Sequence, residues 1–157
     1  MIKVVIADDN PFVRSSVRDL LAGTDDIRVV AECSDGSEVV ECAADAEPDV
    51  VLMDLSMPRM SGLAAITALR AAQPGARVIV LTGSMTAAAV REAQALGVAG
   101  FLLKGNDPES LPDQIRAVAA GGTAWSPAAA AATPPAEHPD VEGGPAGGKS
   151  YRLDANR

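Results

Sequence analysis

The sequence predicts an α/β domain in which a parallel β-sheet carries helices on both faces. Three observations support that class. Short runs rich in β-branched residues alternate five times with longer segments of helical period. The runs are continuously apolar rather than alternating, as strands covered on both faces require. Repeated βα units in turn impose parallel strands joined by right-handed crossovers.

The strands are "IKVVIA" at 2–7, "IRVVAEC" at 27–33, "DVVLM" at 49–53, "ARVIVLT" at 76–82 and "VAGFLLK" at 98–104. In the first helix Asn10 is the N-cap and Pro11 occupies the first turn, while Val13, Val17, Leu20 and Leu21 fall on one face until Gly23 ends it. The second helix runs from about Ser37 to Ala46, the third from Ser61 to Ala72 before Pro74, and the fourth from Thr86 to Leu96 before Gly97. The fifth begins near Asp107 and Pro108 and ends before Gly121 and Gly122. Pro112 lies about one turn into it, where it removes a backbone donor, so a kink or a late start is expected.

Residues 1–120 thus read as one domain and 121–157 as something else. The last 37 residues hold 9 Ala, 6 Gly and 5 Pro with no apolar period, the composition of a disordered tail or linker. "AAAAA" at 128–132 is too short to be a stable helix alone, and prolines 127, 134 and 135 bracket it. "GGPAGGKS" at 143–150 satisfies the pattern of a phosphate-cradling loop, but that loop works only between a buried strand and a helix, so chance in a Gly-rich linker is the better explanation.

Composition narrows the function classes. A formal charge of −8, from 13 Lys and Arg against 21 Asp and Glu, argues against a surface that holds a phosphate backbone, so no direct nucleic-acid binding is expected. No apolar run reaches signal-peptide or membrane-span length, which suggests a cytoplasmic protein with no membrane partner. In that compartment Cys33 and Cys42 read as small hydrophobes rather than a disulfide. The single histidine, His138, excludes His-based triads and His-rich metal sites. Chemistry must therefore run on acids, lysine and hydroxyls.

In a parallel α/β sheet, ligands sit outside the carboxyl ends of the strands. Asp8 and Asp9 follow the first strand, Asp54 the third, Thr82 closes the fourth and Lys104 the fifth, so all five converge on one edge. Each alone has an ordinary explanation as a cap, a strand end or a solvated lysine. Together they are hard to explain that way. Three crowded acids cannot all ionise cheaply, and a divalent cation with the Lys104 ammonium would remove the penalty. Clustered carboxylates with few other protein ligands suit Mg²⁺.

"ADDNPFVR", "DLSMPRMSG", "VLTGS" and "GFLLK", in this order and spacing, resemble the receiver domain of two-component response regulators, and most closely the NarL/LuxR branch, whose full-length members carry a LuxR-type DNA-binding domain. The resemblance covers residues 1 to about 120. It implies a flavodoxin-like five-stranded sheet of order 2-1-3-4-5. It implies that Asp54 is the phosphoacceptor, that Asp8, Asp9, Asp54 and the Ser56 carbonyl hold Mg²⁺, and that Thr82 and Lys104 bind the phosphoryl oxygens. Met57, Pro58 and Gly62 would shape the loop after the nucleophile, and Ser56 and Ser84 would tune access of the hydrolytic water. Thr82 and Phe101 would form the switch, with output through the fourth helix, fifth strand and fifth helix. Phe101 also reads as a plain core aromatic in a chain with four aromatics. Gly105 stands where many receivers have proline, so the usual reason for a cis peptide there is missing.

The partners implied are a sensor histidine kinase or phosphotransfer protein and, where the fifth helix serves as an interface, a second copy in a homodimer. Three functional classes stay open: a phosphorylation-controlled signalling module without its own DNA-binding domain and not an enzyme in the ordinary sense; a LuxR-type transcriptional regulator whose helix-turn-helix is truncated or lost; and an Mg²⁺-dependent phosphohydrolase with Asp54 as nucleophile. The third lacks a substrate-specificity cap and a D-x-D pair.

Overall fold

The computed structural model describes residues 1–132. Six strands, β1 (Ile2–Ala7), β2 (Ile27–Cys33), β3 (Val50–Met53), β4 (Val78–Thr82), β5 (Gly100–Leu103) and β6 (Ala124–Trp125), form one sheet of order β2-β1-β3-β4-β5-β6. Every pairing is parallel. The helices are α1 (Pro11–Ala22), α2 (Val39–Ala46), α3 (Gly62–Ala72), α4 (Ala87–Ala95), α5 (Leu111–Ala119) and α6 (Pro127–Ala132).

The helix ends follow from local chemistry. Asn10 accepts the backbone N–H groups of Phe12 at 2.9 Å and Val13 at 3.4 Å, and Pro11 supplies the first turn. Ser61 and Thr86 cap α3 and α4 in the same way, accepting from Ala64 and Ala89. Pro112 gives the late start: Pro108–Ser110 form a 3-10 turn and α5 begins at Leu111, so the proline sits in the first helical turn, where its missing N–H has no partner to lose.

The sheet separates two apolar layers. Val5, Val51, Val80 and Phe101 face α2, α3 and α4 with Ala65, Ile66, Leu69 and Val90. Val4, Ile6, Leu52 and Ile79 face α1 and α5 with Val17, Leu21, Leu111, Ile115 and Val118. This alternation around continuously apolar strands is what coverage of both faces demands, each buried Ile or Leu contributing about 1.5–3 kcal/mol. Both cysteines are free thiols, and burial is the main force pushing the Cys33 thiol upward.

The structure departs from the five-stranded expectation at its C-terminal edge. Gly100 lets β6 approach, since a Cβ there would lie 2.4 Å from the Ala124 carbonyl oxygen. Ala124 N–H donates to the Ala99 carbonyl at 2.9 Å and Ser126 N–H to that of Phe101 at 3.0 Å. Ser126 then caps α6, its hydroxyl accepting from Ala129 N–H at 3.2 Å, and Pro127 starts the helix rather than breaking it. The short alanine helix is stable here because it packs on α4. His138, "GGPAGGKS" and the rest of the expected tail from 133 onward lie outside the described residues.

Candidate functional site: an acidic cleft at the carboxyl edge of the sheet

The β1–β3 ladder fixes the centre of the site. Ala7 lies opposite Met53, and Asp54 N–H donates to the Ala7 carbonyl at 2.9 Å, so Asp8 and Asp54 leave adjacent strands side by side. On the outer flank, Asp8 N–H donates to the Cys33 carbonyl at 3.0 Å. Asp8 is 2% and Asp54 4% exposed, while Asp9 is exposed. Lys104, one residue past β5, is placed by its own N–H, which donates to the Thr82 carbonyl at 2.8 Å. Its ammonium lies 2.6 Å from Asp8 Oδ2 and 3.4 Å from Asp54 Oδ2.

One cation thus spans two buried carboxylates. Burial, and then repulsion from Asp8, hold the Asp54 carboxyl above its ordinary range, against the pull of Lys104 and of the Ser56 N–H that its carboxylate accepts. Asp8 carries additional bonds: its Oδ1 accepts Asn10 N–H at 2.8 Å and its carbonyl accepts the Arg14 guanidinium. Asp8, Asp9 and Asp54 each offer a carboxylate oxygen, all within 4.8 Å of one another. An all-oxygen donor set of this charge fits Mg²⁺, which binds through one to a few carboxylates and keeps several waters.

The other expected residues fall around this centre. Thr82, 1% exposed, ends β4 opposite Leu103, and its hydroxyl donates to the Ser84 carbonyl at 3.2 Å and accepts Ser84 N–H at 3.4 Å. Ser56 is exposed on the β3–α3 loop. That loop closes tightly: Gly62 N–H donates to the Leu55 carbonyl at 3.0 Å, and a Cβ on Gly62 would fall 2.1 Å from the Asp54 carbonyl oxygen. Phe101 is fully buried in the layer under α4 and stacks on Trp125, with ring centroids 6.4 Å apart. Gly105 adopts φ +75°, a backbone that proline cannot reach, and no cis peptide occurs among the described residues.

Three residues near the site were absent from the sequence reading. Arg14 braces the Asp8 carbonyl from α1 and pairs with Glu32 at 3.6 Å. Trp125 covers Phe101. Asp35 accepts from Ser37 in a capping box with Glu38 and also from Arg59 and Met60 in the β3–α3 loop. The D-x-x-E spacing of Asp35 and Glu38 was the available signal for the last.

A family model described as the response regulator receiver domain matches residues 4–116. The nitrate/nitrite response regulator protein NarP of Escherichia coli K12 is 41% identical over 124 residues, which cover 79% of this chain and 58% of that protein. YxjL, a transcriptional regulatory protein of Bacillus subtilis 168, is 40% identical over 120 residues, covering 76% and 55%. The chain therefore spans a little over half the length of these relatives. Among solved structures, a LuxR-family two-component response regulator from Aurantimonas sp. SI85-9A1 superposes with TM-score 0.78 at 32% identity, covering 82% of this chain and 92% of that one. The isolated receiver domain of RcsB from Salmonella enterica serovar Typhimurium, solved with the phosphomimetic BeF3−, gives 0.77 at 26%, covering 85% and 99%. Sequence motifs, strand order and carboxylate geometry agree with these matches: the chain belongs to the response regulator receiver family of two-component systems, in its NarL/LuxR branch.

Proposed function

We propose that Asp54 accepts a phosphoryl group from a phosphohistidine on a sensor kinase or phosphotransfer protein, and that the acidic cleft performs the transfer. The observation that carries this reading is the buried Asp8–Lys104–Asp54 arrangement, in which burial and like charge oppose ionisation of a carboxylate facing the ligand edge of the sheet. Asp8, Asp9, Asp54 and the Ser56 carbonyl would hold Mg²⁺. When bound, the ion supplies charge neutralisation for the carboxylates and the incoming phosphoryl oxygens.

A carboxylate oxygen of Asp54 attacks phosphorus in line; the P–O bond forms as the P–N bond to imidazole breaks, and the leaving ring takes up a proton from solvent. Lys104 follows the negative charge from the carboxylates to the phosphoryl oxygens. Thr82 exchanges its bond to Ser84 for one to the phosphoryl group, which draws in the β4–α4 loop. The Ser84 and Ser56 side chains flank the approach of the hydrolytic water.

Residues 1–120 form the receiver unit in this reading, and the β6–α6 segment, docked on β5 and α4, continues it toward the output. A Phe101 ring that is fully buried under Trp125 cannot swing outward unless that segment moves, so Thr82, Phe101 and α4 would transmit the phosphorylation state to residues 124–132. Trp125 is the only tryptophan in the chain and reports on this step: its fluorescence is expected to change on adding beryllofluoride with Mg²⁺ to the wild type and to stay constant in Asp54→Asn.

Intact-protein mass spectrometry after incubation with acetyl phosphate tests the transfer itself. One phosphoryl group is expected on the wild type with Mg²⁺, none in EDTA and none on Asp54→Asn; equal labelling of that variant would overturn the assignment. Turnover of a small phosphoester would instead favour a phosphohydrolase. Transcriptional control through a DNA-binding domain, and homodimerisation through the receiver, would be the second reading.

A further inference from the structure

The β3–α3 loop bears the Ser56 carbonyl and must hold it still, yet its tip receives no bond from the acidic cleft. It is pinned from the opposite side. Asp35, 6% exposed at the turn between β2 and α2, accepts Arg59 N–H at 2.9 Å and Met60 N–H at 3.2 Å. Capping explains only the 2.9 Å bond from Ser37 N–H; the bonds to residues 59 and 60 join two loops that are distant in sequence.

The surroundings fit a clamp. Glu38 accepts the N–H groups of Ser34 at 2.8 Å and Asp35 at 3.0 Å, which fixes the turn that presents the carboxylate. Gly36 leaves room for the second loop, because a Cβ there would lie 2.5 Å from the Met60 carbonyl oxygen. The two ends of the loop are joined by Gly62 N–H, which donates to the Leu55 carbonyl at 3.0 Å. Asp35 is the second point, and it holds the segment between them. Backbone N–H groups pull the Asp35 carboxyl down to about 2, so it is ionised, and its bonds to the loop are charge-assisted.

We propose that Asp35 is a positioning residue for the cation site: it fixes the β3–α3 loop so that the Ser56 carbonyl meets Mg²⁺ with the Asp8, Asp9 and Asp54 carboxylates. This rests on the metal site assigned under Proposed function. Groups that orient a ligand from outside the metal's own shell typically control affinity by 10–100-fold, so removing the clamp should raise the Mg²⁺ dissociation constant about tenfold.

Calorimetric titration of Mg²⁺ into the full chain tests it, with the wild type, Asp35→Ala, Asp35→Asn and Thr86→Ala compared at equal folded fraction. Thr86→Ala removes the α4 cap and so matches the loss of a cap without touching the loop. The expected result is an affinity loss of about tenfold in Asp35→Ala, a smaller loss in Asp35→Asn, which keeps one acceptor oxygen, and wild-type affinity in Thr86→Ala. Wild-type affinity in Asp35→Ala, or an equal loss in Thr86→Ala, would reduce Asp35 to a cap and overturn the proposal. A wild type that binds no Mg²⁺ would remove the metal site, and the clamp's role with it. Should Asp35→Ala not fold, Asp35→Asn alone decides, since unchanged affinity there while the thermal midpoint drops means a structural role only.

Discussion

Two clusters in this chain share a composition, two carboxylates around one cation, yet Asp26 in one and Asp54 in the other shift in opposite directions. At the surface, Arg116 on α5 bonds Asp26 through two nitrogens at 2.8 Å each and Asp113 through a third at 2.8 Å. Its hydrogen bonds hold the Asp26 carboxyl below its ordinary value of 3.8. In the cleft, the Lys104 ammonium lies 2.6 Å from Asp8 but 3.4 Å from Asp54, and the Asp54 carboxyl rises. Burial makes the difference: water screens the surface triad, whereas Asp8 and Asp54 face each other almost dry. Each cluster is one positive charge short, and at the surface water makes up the balance. The cleft carries the same one-charge deficit away from water, and there it is what a cation or a phosphoryl group with its cation would answer.

The sharpest way to break the comparison is to remove each central cation. Lys104→Met leaves two buried carboxylates with no counter-ion and is expected to cost about 2–3 kcal/mol in EDTA, toward the low end for buried pairs because the lysine is one-fifth exposed. Mg²⁺ should restore part of that loss in a denaturant titration. Neutralising one acid has the opposite sign. Asp54→Asn should raise stability in EDTA by about 1 kcal/mol, on the order of 4 °C in thermal midpoint.

Acid titration separates the clusters by sign. The folded Asp26 carboxyl lies below 3.8, so its contribution is present above that value and is lost as pH falls through its folded value. The folded Asp54 carboxyl lies above 3.8, so the folded state binds its proton first, and the stability it contributes is full below 3.8 and lost as pH rises through the folded value. The wild type should therefore gain on Asp54→Asn as pH falls from 7 toward 4 in EDTA, measured by differential scanning calorimetry. The smallest effect belongs to Arg116→Ala, whose thermal midpoint should differ from the wild type's only slightly, and less still in high salt. A larger loss there than in Lys104→Met would invert the comparison.

The two clusters also differ in how much of each the sequence reveals. Asp8, Asp9, Asp54, Thr82 and Lys104 were legible because they end strands, and strand ends are marked by where an apolar run stops. Strands β1 and β2 have the expected bounds, while β4 and β5 are shorter because residues such as Ala76 and Ala99 bond as connections rather than ladder positions. The Asp26–Arg116 pair joins residues whose proximity only the sheet order creates, so no local pattern announces it. The edge strand β6 has two residues and no periodicity, and α6 is all alanine after Pro127; both depend on β5 and α4 for their existence. Asp35 carried a local signal for its cap and none for its reach to Arg59 and Met60.

On the proposed function, the cleft is electrostatically incomplete until a divalent cation enters. Thermal midpoints of the wild type and Asp54→Asn at pH 7, each in EDTA and in saturating Mg²⁺, test it most directly. The variant is expected to be the more stable in EDTA. Mg²⁺ at ten times its dissociation constant should stabilise the wild type by about 1.4 kcal/mol, with a much smaller gain in the variant, so that the gap closes. Equal midpoints in EDTA together with no response of the wild type to Mg²⁺ would contradict it.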